Sequence, residues 1–84
     1  MLLFSKFIHD EDDGRQIFIK YLLKKIDEFQ RNKVESHKFS FDMYDLQIDF
    51  KNKEVLIERS LDKQEYLRLS LDDFFLKLFN YYET

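Results

Sequence analysis

The chain contains no cysteine, proline, tryptophan or alanine, and its single glycine is Gly14. Without cysteine there are no disulfides, no thiolate metal sites and no cysteine nucleophile, an absence that fits a reducing cytosol. One glycine is too few for a glycine-rich phosphate loop or a dinucleotide-binding fingerprint. No stretch approaches the roughly 18 consecutive apolar residues that a membrane span needs. The apolar start, Met1 to Ile8, is too short for a signal peptide and runs directly into acids. A cytoplasmic protein that does not engage a membrane is the expectation.

What the chain does have is aromatic and charged side chains. Ten Phe and five Tyr stand among 84 residues, with many Leu and Ile. Each such side chain, once buried, contributes roughly 1.5–3 kcal/mol. A dozen of them can offset the ordering entropy of one small domain spanning residues 1–84, with no staples, no linker and no repeat. Charged residues make up 37 % of the chain and their net charge is −3. Lys, Phe, Ile, Asn and Tyr are frequent where Ala and Pro are missing, a bias that an AT-rich bacterial or phage genome produces.

Between Asp12 and Arg31, Ile19, Leu22, Leu23, Ile26 and Phe29 recur at helical spacing, and Asp12 or Asp13 can cap the start. Leu2–Ile8 fits a short helix or a short edge strand, with a helical turn preferred. Asn32–Lys38 is polar and reads as a connection. The period then becomes two: Tyr44, Leu46, Ile48 and Phe50 alternate with Asp45, Gln47 and Asp49. Phe39, Phe41 and Met43 alternate in the opposite phase, which a bulge near Met43–Tyr44 would reconcile. A two-residue turn at Asn52–Lys53, with Asn52 left-handed, leads to a returning strand over Val55–Ser60. That turn sets Phe50 against Val55 and Ile48 against Ile57. A third strand follows over Glu65–Leu71.

The ending is the clearest element. Ser70 precedes Asp73 by three residues, an Asp variant of the capping box. Leu71, Phe74, Phe75, Leu78, Phe79 and Tyr82 then fall on one helical stripe. The expected fold is α+β: a three-stranded antiparallel meander with one helix before and one after it (α-β-β-β-α). Both helices form a single layer on one sheet face, leaving the other open.

Catalytic constellations are weak. His9 and His37 are the only imidazoles, and Ser36 beside His37 is adjacency rather than a triad. The run Asp10-Glu11-Asp12-Asp13-Gly14 lacks the alternation of a calcium loop, and the twelfth residue from Asp10 is Tyr21 instead of glutamate. It reads as capping charge, with a patch for a basic partner as the functional alternative. No catalytic residue, metal ligand or cofactor is expected, and the chain is read as a non-enzyme.

Charge is distributed unevenly. Residues 15–38 hold seven basic against three acidic side chains, and residues 39–84 hold six against ten. A basic first helix therefore stands apart from an acidic sheet. The helix–strands–helix order is shared with the double-stranded-RNA-binding domain. However, the strand loop Lys51-Asn52-Lys53 lacks that family's Gly-Pro-x-His, and Ser70-Leu71-Asp72-Asp73 opens the last helix with acids where the family has lysines. RNA binding through Lys20, Lys24 and Lys25 is thus a minor alternative.

The open sheet face is the preferred site. It carries Asp45, Gln47 and Asp49 beside Glu54, Leu56 and Glu58, with Tyr66 and Arg68 on the last strand. Carboxylates steer and pair while Leu56 and Tyr66 supply a desolvated centre. In size, in composition and in the strand-to-Ser-Leu-Asp-Asp-Phe-Phe-helix ending over residues 65–79, the chain resembles small bacterial immunity proteins and phage nuclease inhibitors. That resemblance implies an inhibitor that blocks a basic toxin or nuclease by presenting carboxylates to its nucleic-acid cleft. The expected partner-binding set is Asp45, Asp49, Glu54, Leu56, Glu58, Tyr66 and Arg68. A homodimer built on surplus aromatics (Phe18, Tyr21, Phe39, Phe41, Tyr81) is the competing expectation.

Overall fold

The computed structural model of the chain describes residues 2–12, 17–62 and 64–83. Among the described residues three helices, α1 (Leu2–Glu11), α2 (Ile17–Arg31) and α3 (Leu71–Glu83), accompany four strands, β1 (Ser36–Ser40), β2 (Tyr44–Asp49), β3 (Glu54–Arg59) and β4 (Tyr66–Ser70). The strands form one antiparallel sheet in the order β1-β2-β3-β4. The α+β class and the antiparallel meander hold, but the sheet has four strands where the sequence predicts three, and two helices precede it where the predicted order has one.

The additional strand lies where the sequence reads as a connection and a bulge. Ser36–Ser40 pairs with Tyr44–Asp49, and the Phe41 N–H donates to the Tyr44 carbonyl at 2.8 Å to close the turn. The phase change at Met43–Tyr44 is therefore a hairpin. Reversing direction there places Phe39 opposite Leu46, so both are buried on the same face.

The next hairpin is also corrected. Ile48 pairs with Val55 and Leu46 with Ile57, a slip of two residues from the expected register. The connection runs over Phe50–Lys53, and Lys53 (φ 58°), not Asn52, takes the left-handed conformation. Asn52 instead donates its backbone N–H (3.0 Å) and its side-chain amide (2.8 Å) to Asp49. Because side chains alternate with period two, a slip of two leaves every residue on its predicted face.

One face of the sheet carries Phe39, Tyr44, Leu46, Ile48, Val55 and Ile57, all buried. Helices supply the opposing layer: Phe4, Phe7 and Ile8 from α1, Ile19, Leu22 and Ile26 from α2, and Leu71, Phe74 and Leu78 from α3. The preferred helical reading of Leu2–Ile8 holds, and the helix extends to Glu11. Its aromatic rings knit the layers, with Phe4 edge-on to Phe74 at 5.9 Å and Phe7 edge-on to Tyr44 at 5.4 Å.

Helix ends follow the sequence signals. The Ser70 hydroxyl accepts the Asp73 N–H at 3.1 Å, and Asp72 and Asp73 occupy the positive end of the α3 dipole. Asp12 accepts the Phe18 N–H at 3.3 Å, while Asp13 lies outside the described residues. The predicted α3 stripe splits: Leu71, Phe74 and Leu78 are buried, Phe75 is half-buried, and Phe79 is 47 % exposed.

Candidate interaction face

On the face away from the helices, strand register arranges the side chains in three rows. One row reads Ser40, Asp45, Glu58, Tyr66; the middle row Lys38, Gln47, Leu56, Arg68; the last Ser36, Asp49, Glu54, Ser70. All seven predicted partner-binding residues therefore fall on this one surface, in register with one another. Asp45, Asp49, Leu56 and Glu58 are half-buried by their neighbours, and the other positions of the three rows are exposed.

The register produces two unusual pairs. Asp45 stands directly opposite Glu58, and Asp49 directly opposite Glu54, across the central β2–β3 ladder. Directly opposed like charges destabilise a sheet. Between them lies the Gln47–Leu56 pair. Lys38 approaches Asp45 at 3.9 Å, and the Arg68 guanidinium lies over the Tyr66 ring, 6.0 Å from its centroid. The face is thus anionic along its central seam and cationic at the two edges of its middle row. Its four carboxylates against Lys38 and Arg68 leave a net charge of −2.

Asp49 is held ionised. The Asn52 backbone N–H, and then its side-chain amide, lower the Asp49 pKa below the ordinary carboxylate value. Beside it a depression of about 690 Å³ is lined by Gln47, Asp49, Asn52, Glu54, Leu56 and Arg68, among others. Tyr66, 55 % exposed at the sheet edge, supplies an aromatic surface at the opposite end.

Lys38 is the functional candidate that the sequence reading left out. The polar run over 32–38 assigns it to a connection, yet Ser36, Lys38 and Ser40 alternate with His37, Phe39 and Phe41. That alternation was the signal available.

Other candidates are drawn into the fold. Asp10 accepts the Tyr44 hydroxyl at 2.8 Å and Glu11 accepts the Met43 N–H at 3.3 Å. Burial, above all, raises the Glu11 pKa. The acidic run therefore fastens α1 to the first hairpin. Ser36 and His37, adjacent on a strand, project to opposite faces, and His37 packs between Phe29 and Phe39 at 4.4 and 4.6 Å. Among the described residues no group of three or more His, Cys, Asp or Glu is placed to hold a metal ion.

The two alternative surfaces are reduced as well. Lys25 pairs with Glu28 at 3.6 Å and Arg31 with Asp27 at 3.1 Å, so α2 neutralises part of its own charge. Phe39 is buried, Phe18, Phe41 and Tyr81 are half-buried, and Tyr21 alone of the surplus aromatics is exposed. Phe18 and Phe41 meet edge-on at 5.0 Å, and Phe39 stacks on Phe41 at 5.8 Å. Most of that set is core. Among the described residues, no helix is long and apolar enough to cross a membrane. Comparison with protein-family models, curated proteins and solved structures found no match.

Proposed function

We propose that this chain is a non-enzymatic protein-binding module that docks a basic protein on its open sheet face. In that role it acts as an inhibitor or immunity protein in the cytoplasm, blocking a toxin or nuclease. One observation carries the reading: two directly opposed carboxylate pairs flank Leu56 on the sheet face that none of the described helices covers. A small domain has little stability to spare, and like charges set directly opposite each other cost it some of that, offset in part by Lys38 at Asp45 and by Asn52 at Asp49. A cationic partner turns that repulsion into attraction, so binding relieves what folding must tolerate.

The seam has the anatomy of a docking centre. Leu56 and Tyr66 provide apolar contact, the carboxylates provide steering, and Arg68 and Lys38 limit which orientation a partner can adopt. The test is capture from the native host on immobilised chain, eluted in salt steps, beside a Glu54→Lys/Glu58→Lys variant. A basic protein held by the parent chain, released by salt and lost from the variant is the expected result. Equal retention by both chains refutes the reading.

A further inference from the structure

The row geometry specifies more than a charge sign. Along β2 and β3 the seam runs acid pair, Gln47–Leu56, acid pair, each row two residues from the next. In a strand that spacing is about 6.7 Å, which sets the two acid pairs about 13 Å apart. An α-helix repeats one face every four residues, rising about 6 Å, and every eight residues, rising about 12 Å. A helix lying along the seam therefore presents positions i, i+4 and i+8 to the three rows in turn.

We infer that the open face docks an α-helix of its partner, laid along β2–β3, with Lys or Arg at i and i+8 and an apolar residue at i+4. The apolar residue rests on Leu56 and each cation meets one acid pair. Lys38 and Arg68 flank the same middle row, from β1 and β4. With strands about 4.8 Å apart, each lies about 7 Å to one side of the seam. Helix positions i+3 and i+5 point sideways from i+4 at nearly the same height, so acids there reach Lys38 and Arg68. The complete pattern is basic, two free positions, acidic, apolar, acidic, two free positions, basic. Its charges alternate in space as those of the face do.

This inference rests on the docking reading above and narrows it to one class of element. A strand laid along the seam repeats like-facing side chains every two residues, about 6.7 Å, and so also reaches the three rows, but it does not supply side chains at the lateral positions that meet Lys38 and Arg68. Nor does a disordered basic tail, which would satisfy the carboxylates without registering on Leu56.

The test uses two capped, alanine-rich helical peptides of one composition. One carries Lys at i and i+8, Glu at i+3 and i+5 and Leu at i+4; the other spreads the same residues around the helix. Binding to the full chain is followed by amide chemical shifts in low salt. The patterned peptide is expected to bind at least tenfold more tightly, with shifts centred on Gln47, Leu56 and Arg68. Leu56→Ala and, separately, Glu58→Lys should each reduce its affinity at least fivefold, with folding verified by circular dichroism. Equal binding of both peptides, or binding of neither, overturns the inference. If the host partner still depends on Glu54 and Glu58 in the capture experiment, the docking reading survives that failure and only the helical element is lost.

Discussion

Replacing Glu58 by Lys is expected to make the protein more stable while removing its binding. Glu58 lies opposite Asp45 on β2 and opposite Tyr66 on β4, and both Glu58 and Asp45 are half-buried. The substitution converts an opposed like-charge pair into an opposed ion pair. Opposite-charge cross-strand pairs contribute roughly 0.2–1 kcal/mol and like charges work the other way, with solvent screening holding the swing near the top of that range. Lys38 already compensates Asp45 in part at 3.9 Å, which trims the gain. The net expectation is about 0.5–1 kcal/mol. For a domain of this size that raises Tm by about 2–8 °C.

The assay is thermal unfolding at pH 7 in low salt, with Glu58→Gln beside it. Glu58→Gln removes the repulsion without adding attraction and should show about half of the shift. Roughly 1 M salt shortens the Debye length to about 3 Å and should erase most of the difference between the three proteins. Glu and Lys are both poor strand formers, so intrinsic propensity does not confound the comparison. A Tm for Glu58→Lys equal to or below that of the parent, with Glu58→Gln also unmoved, would falsify the claim that the seam is held against repulsion.

Ser70→Ala should lower stability by about 1 kcal/mol through loss of the α3 cap, seen as a lower urea midpoint at unchanged m. Burial first, and then the hydrogen bond to Asp10, push the Tyr44 pKa from 10.0 up to about 12. The folded value exceeds the unfolded one, so this contribution is complete below pH 10 and is lost as pH rises towards about 12; Tyr44→Phe should lack that alkaline loss in denaturation midpoints measured across the window. The Glu11 pKa is also raised, mainly by burial, above its ordinary value of 4.5. For a carboxyl the sign means that its folded-state advantage exists at low pH and disappears as pH rises through the raised value. Glu11→Gln should therefore match the parent below pH 4.5 and exceed it at pH 7, and a lower midpoint at pH 7 would show that the bond from Met43 needs the charged form.

The fold was legible wherever apolar residues set the period. Tyr44, Leu46 and Ile48 announce β2, and Leu71, Phe74 and Leu78 announce the buried side of α3. β1 was hidden because Ser36-His37-Lys38-Phe39-Ser40 contains a single large apolar side chain. An edge strand needs only one buried residue, Phe39, when its neighbour supplies the rest, and a central Lys is the usual protection for such an edge. The register was misjudged because Asn52–Lys53 resembles a tight turn, whereas a left-handed lysine closes a longer one. Neither error moved a residue between faces, so the seven residues stay together on the open face.

What the sequence could not convey is opposition. Asp45, Asp49, Glu54 and Glu58 read simply as an acidic stretch until the register sets them in facing pairs at either end of Leu56. Scattered charge explains solubility but carries no geometry. Paired charge at two fixed heights does, because a partner docked there would have to place cations at both heights and an apolar group between them. The depth of the core makes that template rigid: Leu46, Ile48, Val55 and Ile57 are buried directly behind the seam and fix its pleat. The same ladder that packs the helices on one side thus spaces the charges on the other. A change in the core behind Leu46 or Ile57 that shifts the strands by one residue would turn the charged row inward and abolish folding and binding together. The charges themselves, by contrast, lie outside the layer beneath, which is why stability and binding are expected to separate in the Glu58→Lys protein.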